Sequence, residues 1–417
     1  MTGEILCVGT ELLLGDIMNT NAAFLARELA ALGISVYHQT VVGDNGGRLR
    51  EAVSLALSRS DLLVMTGGLG PTYDDITKET AAQALGKKLV WNQQAYDRME
   101  AYFLRTGRVM SENNRKQALM PEGAVVFQNE NGTAPGAAIE TDGKIIVLLP
   151  GPPSEMEPMF CDQVRHYLEG KTGQTFFSRT VHLFGIGESA AEEQLRDLME
   201  SSSNPTIAPY AKTGEVLLRV TAAAPDREQA LRLLAPAVEK IQKRLGPYIY
   251  GIDVGTLQHA AVLALKQRGL TVSTAESCTG GGVAKRITEV PGASEVLRAG
   301  ICTYTNEMKA ELLGVKEETL KTCGAVSAQT ALEMARGARV RTGADIGVSV
   351  TGVAGPQQSE GKPVGLVFVA VSSPWHESEM ELHLARGSGG ERERVRHLAE
   401  NHALYAVQQT ARKIPQR

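Results

Sequence analysis

The chain reads as α/β: two α/β three-layer domains with mostly parallel sheets, joined by a small α+β connecting domain. Three observations predict this. Apolar strands at 5–8, 35–42 and 61–66 alternate with helical patterns, and alternation of this kind builds βαβ units. The same alternation resumes after about residue 253, and 417 residues are long for one core but fit two or three domains. Between the two lies a segment, 175 to about 246, ordered strand, helix, hairpin, helix, which is too small for a catalytic α/β domain.

Each element has its own signal. Ala22, Leu25, Leu29 and Leu32 fall on one stripe of a helix over 21–32, and an Asp-Gly turn at 140–144 closes a hairpin. Polar residues 169–174 read as a linker. The middle segment is predicted as a strand at 176–184, a helix at 189–199, a hairpin around 212–214 and a helix at 226–245. After the bend at 246–251 come a strand at 270–274, a helix at 283–289, a second strand and helix over 300–309, and a closing amphipathic helix at 391–414. The expected domains are 1–170, 171–252 and 253–417.

Composition narrows the classes. Hydrophobic residues make up 43%, yet no apolar run approaches membrane-spanning length, and the start Met1-Thr2-Gly3-Glu4 lacks the basic-then-apolar pattern of a signal peptide. Five cysteines, odd in number and without a close pair, point to reduced thiols rather than disulfides or a zinc site. We therefore expect a cytoplasmic protein with no membrane partner. A net charge of -4 gives no electrostatic footprint for nucleic acid.

The densest chemistry is Ala275-Glu276-Ser277-Cys278-Thr279-Gly280-Gly281-Gly282, where a strand gives way to a helix. Ser277 is a candidate nucleophile. Gly280 and Gly281 would let backbone approach a substrate, and amides at the helix start could hold an anion or oxyanion. An ordinary helix cap needs the same residues, so both readings stand here. None of the eight histidines sits in a turn or glycine motif, which leaves a Ser-His pair unsupported. Lys309, in Tyr304-Thr305-Asn306-Glu307-Met308-Lys309, is the alternative base, because burial can lower a lysine pKa; most helical lysines are solvated. Cys278 is read as a small buried hydrophobe.

A second candidate follows the strand at 61–66, in Gly67-Gly68-Leu69-Gly70-Pro71-Thr72-Tyr73-Asp74-Asp75-Ile76-Thr77-Lys78-Glu79. Glycine-rich turns after parallel strands are where α/β folds bind phosphorylated ligands. Gly67, Gly68, Gly70 and Thr72 are the candidate phosphate contacts. Asp75 and Glu79 are expected on one helical face, where with Asp74 and Glu11 they could hold a divalent cation. The competing reading makes Thr72 and Asp75 a cap and the acids complements to the helix dipole.

The motifs at 275–282, 304–309, 324–327 and 351–356 together resemble the nicotinamide-nucleotide amidase domain of the competence/damage-inducible protein A (CinA) family, over about residues 255–412. The resemblance implies that Ser277 is the nucleophile, assisted by Lys309 and Tyr304, with Thr351 in the site and an arginine of the last helix on the substrate. Arg396 is its best match, in a run that also holds Arg392 and Arg394. The implied reaction converts nicotinamide mononucleotide to nicotinate mononucleotide and ammonia, without a cofactor.

The motifs at 9–16, 67–79, 131–136 and 149–156 resemble the molybdopterin-binding (MoaB/MogA-like) domain, in its CinA version. That resemblance implies hydrolysis of the pyrophosphate of ADP-ribose with a divalent metal near Asp74 and Asp75. Leu69 replaces the threonine of the pterin enzymes' Gly-Gly-Thr-Gly core, which counts against a pterin nucleotidyl transferase. The middle segment is similar to the KH-type connecting domain of full-length CinA proteins. It lacks a Gly-x-x-Gly clamp beside basic residues, so we expect a spacer or dimer contact in a homodimer rather than nucleic-acid binding. The remaining rival is a non-catalytic scaffold in DNA uptake or repair, which has no need for Ser277, Tyr304, Lys309 and Thr351 together.

Overall fold

A computed structural model describes residues 1–171, 175–387 and 391–414. The chain divides into two compact units, Met1–Ser178 with Thr221–Leu234, and Arg179–Val220 with Ala235–Arg417. Among the described residues no helix is long and apolar enough to cross a membrane. The predicted linker at 169–174 falls partly outside the described residues.

The first unit is built on strands β1 (Thr2–Val8), β2 (Ser35–Val42), β3 (Leu62–Thr66), β4 (Leu89–Trp91), β5 (Leu119–Pro121), β6 (Val125–Phe127), β7 (Gly136–Thr141) and β8 (Lys144–Leu149). Six form one sheet in the order β2-β1-β3-β8-β7-β6, parallel through β8 and antiparallel beyond it. The antiparallel extension is the Asp-Gly hairpin, which pairs Thr141 with Lys144. Alternation along β1 sets the layers: Ile5 and Cys7 pack with Ala22, Leu25 and Leu29 of the Thr20–Ala31 helix. Leu6 and Val8 pack instead with Leu49, Val53 and Ala56 of the Gly46–Arg59 helix.

The connecting segment contributes β9 (Thr175–Phe184), β10 (Thr206–Lys212), β11 (Glu215–Ala224) and β12 (Ile249–Ile252), in a sheet ordered β10-β11-β9-β12, with helices Glu188–Ser201 and Arg227–Leu245. It is the expected strand, helix, hairpin, helix.

The C-terminal sheet runs β14-β13-β15-β16-β17, from β13 (Val272–Glu276), β14 (Leu297–Cys302), β15 (Ile346–Gly352), β16 (Leu366–Ser372) and β17 (Glu377–His383). It is parallel across β14, β13 and β15 and antiparallel beyond. Ile346, Val348 and Val350 of β15 join a core with the Leu257–Arg268 and Glu391–Lys413 helices. On the opposite face the Ala328–Thr342 helix presses so closely that a Cβ on Gly347 would lie 2.0 Å from Ala335 O.

Two local expectations change. β13 extends to Glu276, two residues past the expected end, because Glu276 still pairs with Cys302 and Val350. The final helix is buried around most of its circumference rather than amphipathic: its polar Asn401 and Gln408 donate to Thr213 O (3.0 Å) and Tyr250 O (2.7 Å).

Both sheets share a feature that places the sites. From β1 the chain moves to β2 on one side and then to β3 on the other, and from β13 it moves to β14 and then to β15. A crevice opens at the carboxyl ends of the strands at each such reversal, the position where open α/β sheets bind ligands.

Candidate functional sites

In the C-terminal sheet the crevice lies beyond β13 and β15. Ser277 directly follows β13, and its amide donates to Val350 O at 2.9 Å. Lys309 sits in the Asn306–Leu313 helix and is 1% exposed. Its Nζ lies 3.2 Å from Ser277 Oγ and donates to Thr303 O at 2.9 Å. Among the described residues no carboxylate is hydrogen-bonded to it, and burial holds its pKa below the usual lysine value. Burial thus shifts the balance toward the neutral amine, the form that accepts a proton. Cys278 is 6% exposed, and burial pushes its thiol up to about 12, so the neighbouring sulfur is a packing group and not a thiolate.

Ser277, Lys309, Tyr304 and Thr351 line one cleft of about 270 Å³. Thr351 Oγ1 donates to Ala325 O at 2.8 Å, which ties β15 to the 324–327 turn. Glu360 closes that turn, accepting from Ala325 N (3.0 Å) and Val326 N (3.3 Å). Burial raises the Glu360 pKa, but these two amides and Lys362 outweigh it and leave the carboxyl below its usual range.

Gly280, Gly281 and Arg396 lie elsewhere. The cleft wall carries Arg392, whose guanidinium donates to Gly355 O (2.6 Å) and Tyr304 Oη (3.1 Å). Arg396, one helical turn on, donates to Thr279 O (3.0 Å) and pairs with Glu393 (2.9 Å), in a different, mixed-charge pocket with Lys285 and Glu400. The helix after Ser277 (Gly282–Thr288) has no vacant amides in its first turn for an anion. Glu276, 1% exposed, accepts from Val283 N (3.0 Å), Ala284 N (2.9 Å), Thr279 Oγ1 (2.8 Å) and Thr274 Oγ1 (3.0 Å). The protein's own carboxylate fills the place expected for substrate. Gly280 N is spent on Ser277 O (3.0 Å), and Gly282 serves close packing, since a Cβ there would lie 2.1 Å from Glu400 Oε1.

The N-terminal crevice, about 350 Å³, lies beyond β1, β3 and β8. Gly67, Gly68, Gly70, Thr72, Asp74, Asp75 and Glu11 all line it. Gly67 is left-handed (φ 99°), and any Cβ there would lie 2.1 Å from Val8 O, so only glycine lets β3 turn so close to β1. Asp44, outside every motif, and Glu155, inside the 149–156 motif but not named for the site, add two acids, giving five carboxylates; no lysine or arginine is among the described residues of the lining. Glu155 accepts from Asn129 Nδ2 at 2.7 Å, and burial raises its pKa.

The acids are not arranged as expected. The helix begins at Thr77, so Asp75 and Glu79 do not share a helical face. Asp75 instead closes the preceding turn, accepting from Thr72 N (2.9 Å), and the Thr72 hydroxyl reaches both Asp74 (2.5 Å) and Asp75. Glu79 points to Lys116 at 4.0 Å and stays off the cleft. Among the described residues no three His, Cys, Asp or Glu side chains converge as a cation cage. A hard cation that keeps several waters and takes one or two carboxylates plus substrate oxygens still fits Asp74 and Asp75.

Two switch-point α/β segments with a KH-like segment between them in sequence define a three-part α/β protein. Residues 4–170 match the family model "Probable molybdopterin binding domain", 178–251 match "Damage-inducible protein CinA KH domain", and 255–411 match "CinA C-terminal domain". A relative from Caldicellulosiruptor saccharolyticus, named for competence-damage induction, is 50% identical over 98% of this chain and 99% of its own. CinA-like proteins from Kosmotoga olearia (49%, covering 97% of each chain) and Dictyoglomus turgidum (49%, covering 95% and 96%) are similar throughout. The chain belongs to the competence-damage inducible (CinA) family.

Proposed function

We infer that the protein is a bifunctional hydrolase of pyridine-nucleotide turnover, with a serine amidase in its C-terminal domain acting on nicotinamide mononucleotide. The observation that supports this most directly is the buried Lys309 amine 3.2 Å from Ser277 Oγ. Neutral Lys309 takes the Ser277 proton as Oγ attacks the carboxamide carbon. The resulting ammonium returns that proton to the amide nitrogen, which leaves as ammonia; a water that Lys309 deprotonates then hydrolyses the nicotinoyl ester, and the proton passes back to Ser277 Oγ. Arg392, rather than Arg396, is assigned to the substrate phosphate, because it is the guanidinium on the cleft.

The N-terminal crevice supports a second reading, hydrolysis of the pyrophosphate of ADP-ribose. Five carboxylates line the crevice, and although Lys116 reaches the Thr72 to Asp75 turn from outside it, they repel a pyrophosphate unless a cation joins them. A divalent ion on Asp74 and Asp75 would neutralise that repulsion and polarise a phosphoryl oxygen. The protein's own contribution is the Gly67 turn and the rigid Thr72 to Asp75 loop that receive the substrate. Incubation with nicotinamide mononucleotide, and separately with ADP-ribose plus a divalent metal, followed by mass identification of products, tests both. Unchanged nicotinamide mononucleotide would refute the amidase reading, and unchanged ADP-ribose the pyrophosphatase reading.

A further inference from the structure

The mixed-charge pocket that holds Arg396 has a volume of about 550 Å³ and, among the described residues, shares no lining residue with the amidase cleft. Its walls are the 212–215 hairpin, the start of the Leu257–Arg268 helix, and stretches of the Gly282–Thr288 and Glu391–Lys413 helices. Three of its carboxylates differ in how well they are served. Glu289 accepts from Lys285 Nζ (2.7 Å) and Gln258 Nε2 (3.4 Å), and Glu215 accepts from Tyr250 Oη (2.5 Å). Glu400 is 9% exposed yet accepts no hydrogen bond among the described residues, its ion pair with Arg286 standing at 3.7 Å. Neither of its oxygens is among the partnerless atoms sealed from water, so both are reached from the cavity it lines. Burial raises its pKa against the opposing pull of Arg286, as expected of a carboxyl short of donors. The cations have donors to spare. Lys212 is exposed and its amine makes no hydrogen bond or ion pair among the described residues, Lys285 is paired with exposed Glu289, and Arg396 divides itself between Glu393 and Thr279 O.

A buried carboxylate without donors, beside cations with donors to spare, suits a ligand that carries hydroxyls at one end and an anion at the other. We propose that this cavity is an effector site for a ribonucleoside phosphate, with the ribose hydroxyls on Glu400 and the phosphates on Lys212, Lys285 and Arg396. The occupant acts on the Ser277 turn from behind. Arg396 holds Thr279 O at 3.0 Å, and Glu400 packs so close over Gly282 that a Cβ there would lie 2.1 Å from its Oε1. Drawing Arg396 onto phosphate releases Thr279, loosens the turn and lowers turnover at Ser277. That coupling, though not the site itself, rests on the amidase reading.

Calorimetry on the full chain tests the site, with ADP and 2′,3′-dideoxy-ADP as probes and a chelator present to keep divalent ions from the acidic crevice. ADP should bind at least about tenfold more tightly than the dideoxy compound, because a buried acceptor discriminates against an analogue that lacks the donor. The K212A/K285A variant changes only exposed side chains, so it keeps the fold. It should lose about tenfold in ADP affinity. With nicotinamide mononucleotide as substrate, saturating ADP should lower the wild-type kcat about fivefold without moving KM, and should leave the variant unaffected. A wild type that does not bind ADP, or equal ADP affinity in the variant, or equal affinity for the dideoxy compound, overturns the site. A raised KM at unchanged kcat places ADP in the amidase cleft and overturns the effector role. A wild type that does not turn over nicotinamide mononucleotide at all defeats the amidase reading, and the binding results alone then decide the site.

Discussion

Ser277 and Lys309 carry the sharpest consequences at the scale of single residues. S277A should abolish ammonia release from nicotinamide mononucleotide, while C278A, which removes a buried neutral thiol, retains most of it. K309R should lose about 10²- to 10⁴-fold, the range of a general base, because arginine does not deprotonate. Burial depresses the Lys309 pKa, so the neutral, active form gains population as pH rises, and the rate should climb through a midpoint below 10.5, the ordinary lysine value. A rate that falls over that range would remove Lys309 as the base. R392A should cost about 10- to 100-fold in kcat/KM through the lost phosphate contact, with R396A much milder. The serine and the lysine were legible in the sequence, since a turn glycine run and a strand-to-helix junction mark their places. The arginine was not. Residues 392 and 396 lie on nearly the same side of a helix, and only packing decides which turn of it meets the cleft.

At the scale of elements, Glu276 is the piece that fixes the turn bearing Ser277. From the end of β13 it accepts two hydrogen bonds from first-turn amides of the Gly282–Thr288 helix, one from Thr279 in the turn between and one from Thr274 in its own strand. E276Q keeps the shape but sets an amide donor against Val283 and Ala284 amides, and should lower unfolding free energy by about 1–3 kcal/mol in denaturant titration. An unchanged midpoint would mean the junction is held by packing alone. Sequence patterns identified both the strand and the helix but not this link, because a glutamate four positions before three glycines does not reveal a fold-back. The Asp75 and Glu79 pairing failed for a related reason. Helical spacing was assumed to start at Asp75, whereas Pro71 and the Thr72 to Asp75 hydrogen bond hold a separate turn there, and the helix starts two residues later.

For the whole molecule, the alternation of strands and helices predicted the layers well, because each βαβ unit writes its burial pattern locally. The joints between segments are not written that way. Tyr250 O, in the connecting segment, accepts from Gln408 (2.7 Å) and Arg412 (2.6 Å), and Phe184 stacks on Tyr405 with ring centroids 4.5 Å apart. A fragment that begins ahead of β9 should therefore keep a metal-independent amidase. One cut at residue 253 should unfold at lower temperature, since it exposes that apolar seam and leaves the buried Gln408 amide unmatched. Equal melting temperatures for the two fragments would show that the seam contributes nothing. The two crevices also differ in the charged groups among their described lining residues, carboxylates in one and Lys309 and Arg392 with Glu360 in the other. On the proposed function, dissolved ions should act as separate controls on one polypeptide. Added monovalent salt should weaken nucleotide capture by Arg392 at the amidase, whereas withdrawing divalent ions should silence only the acidic crevice, so a cell's ionic state could set the ratio of the two activities without any change in the amount of protein.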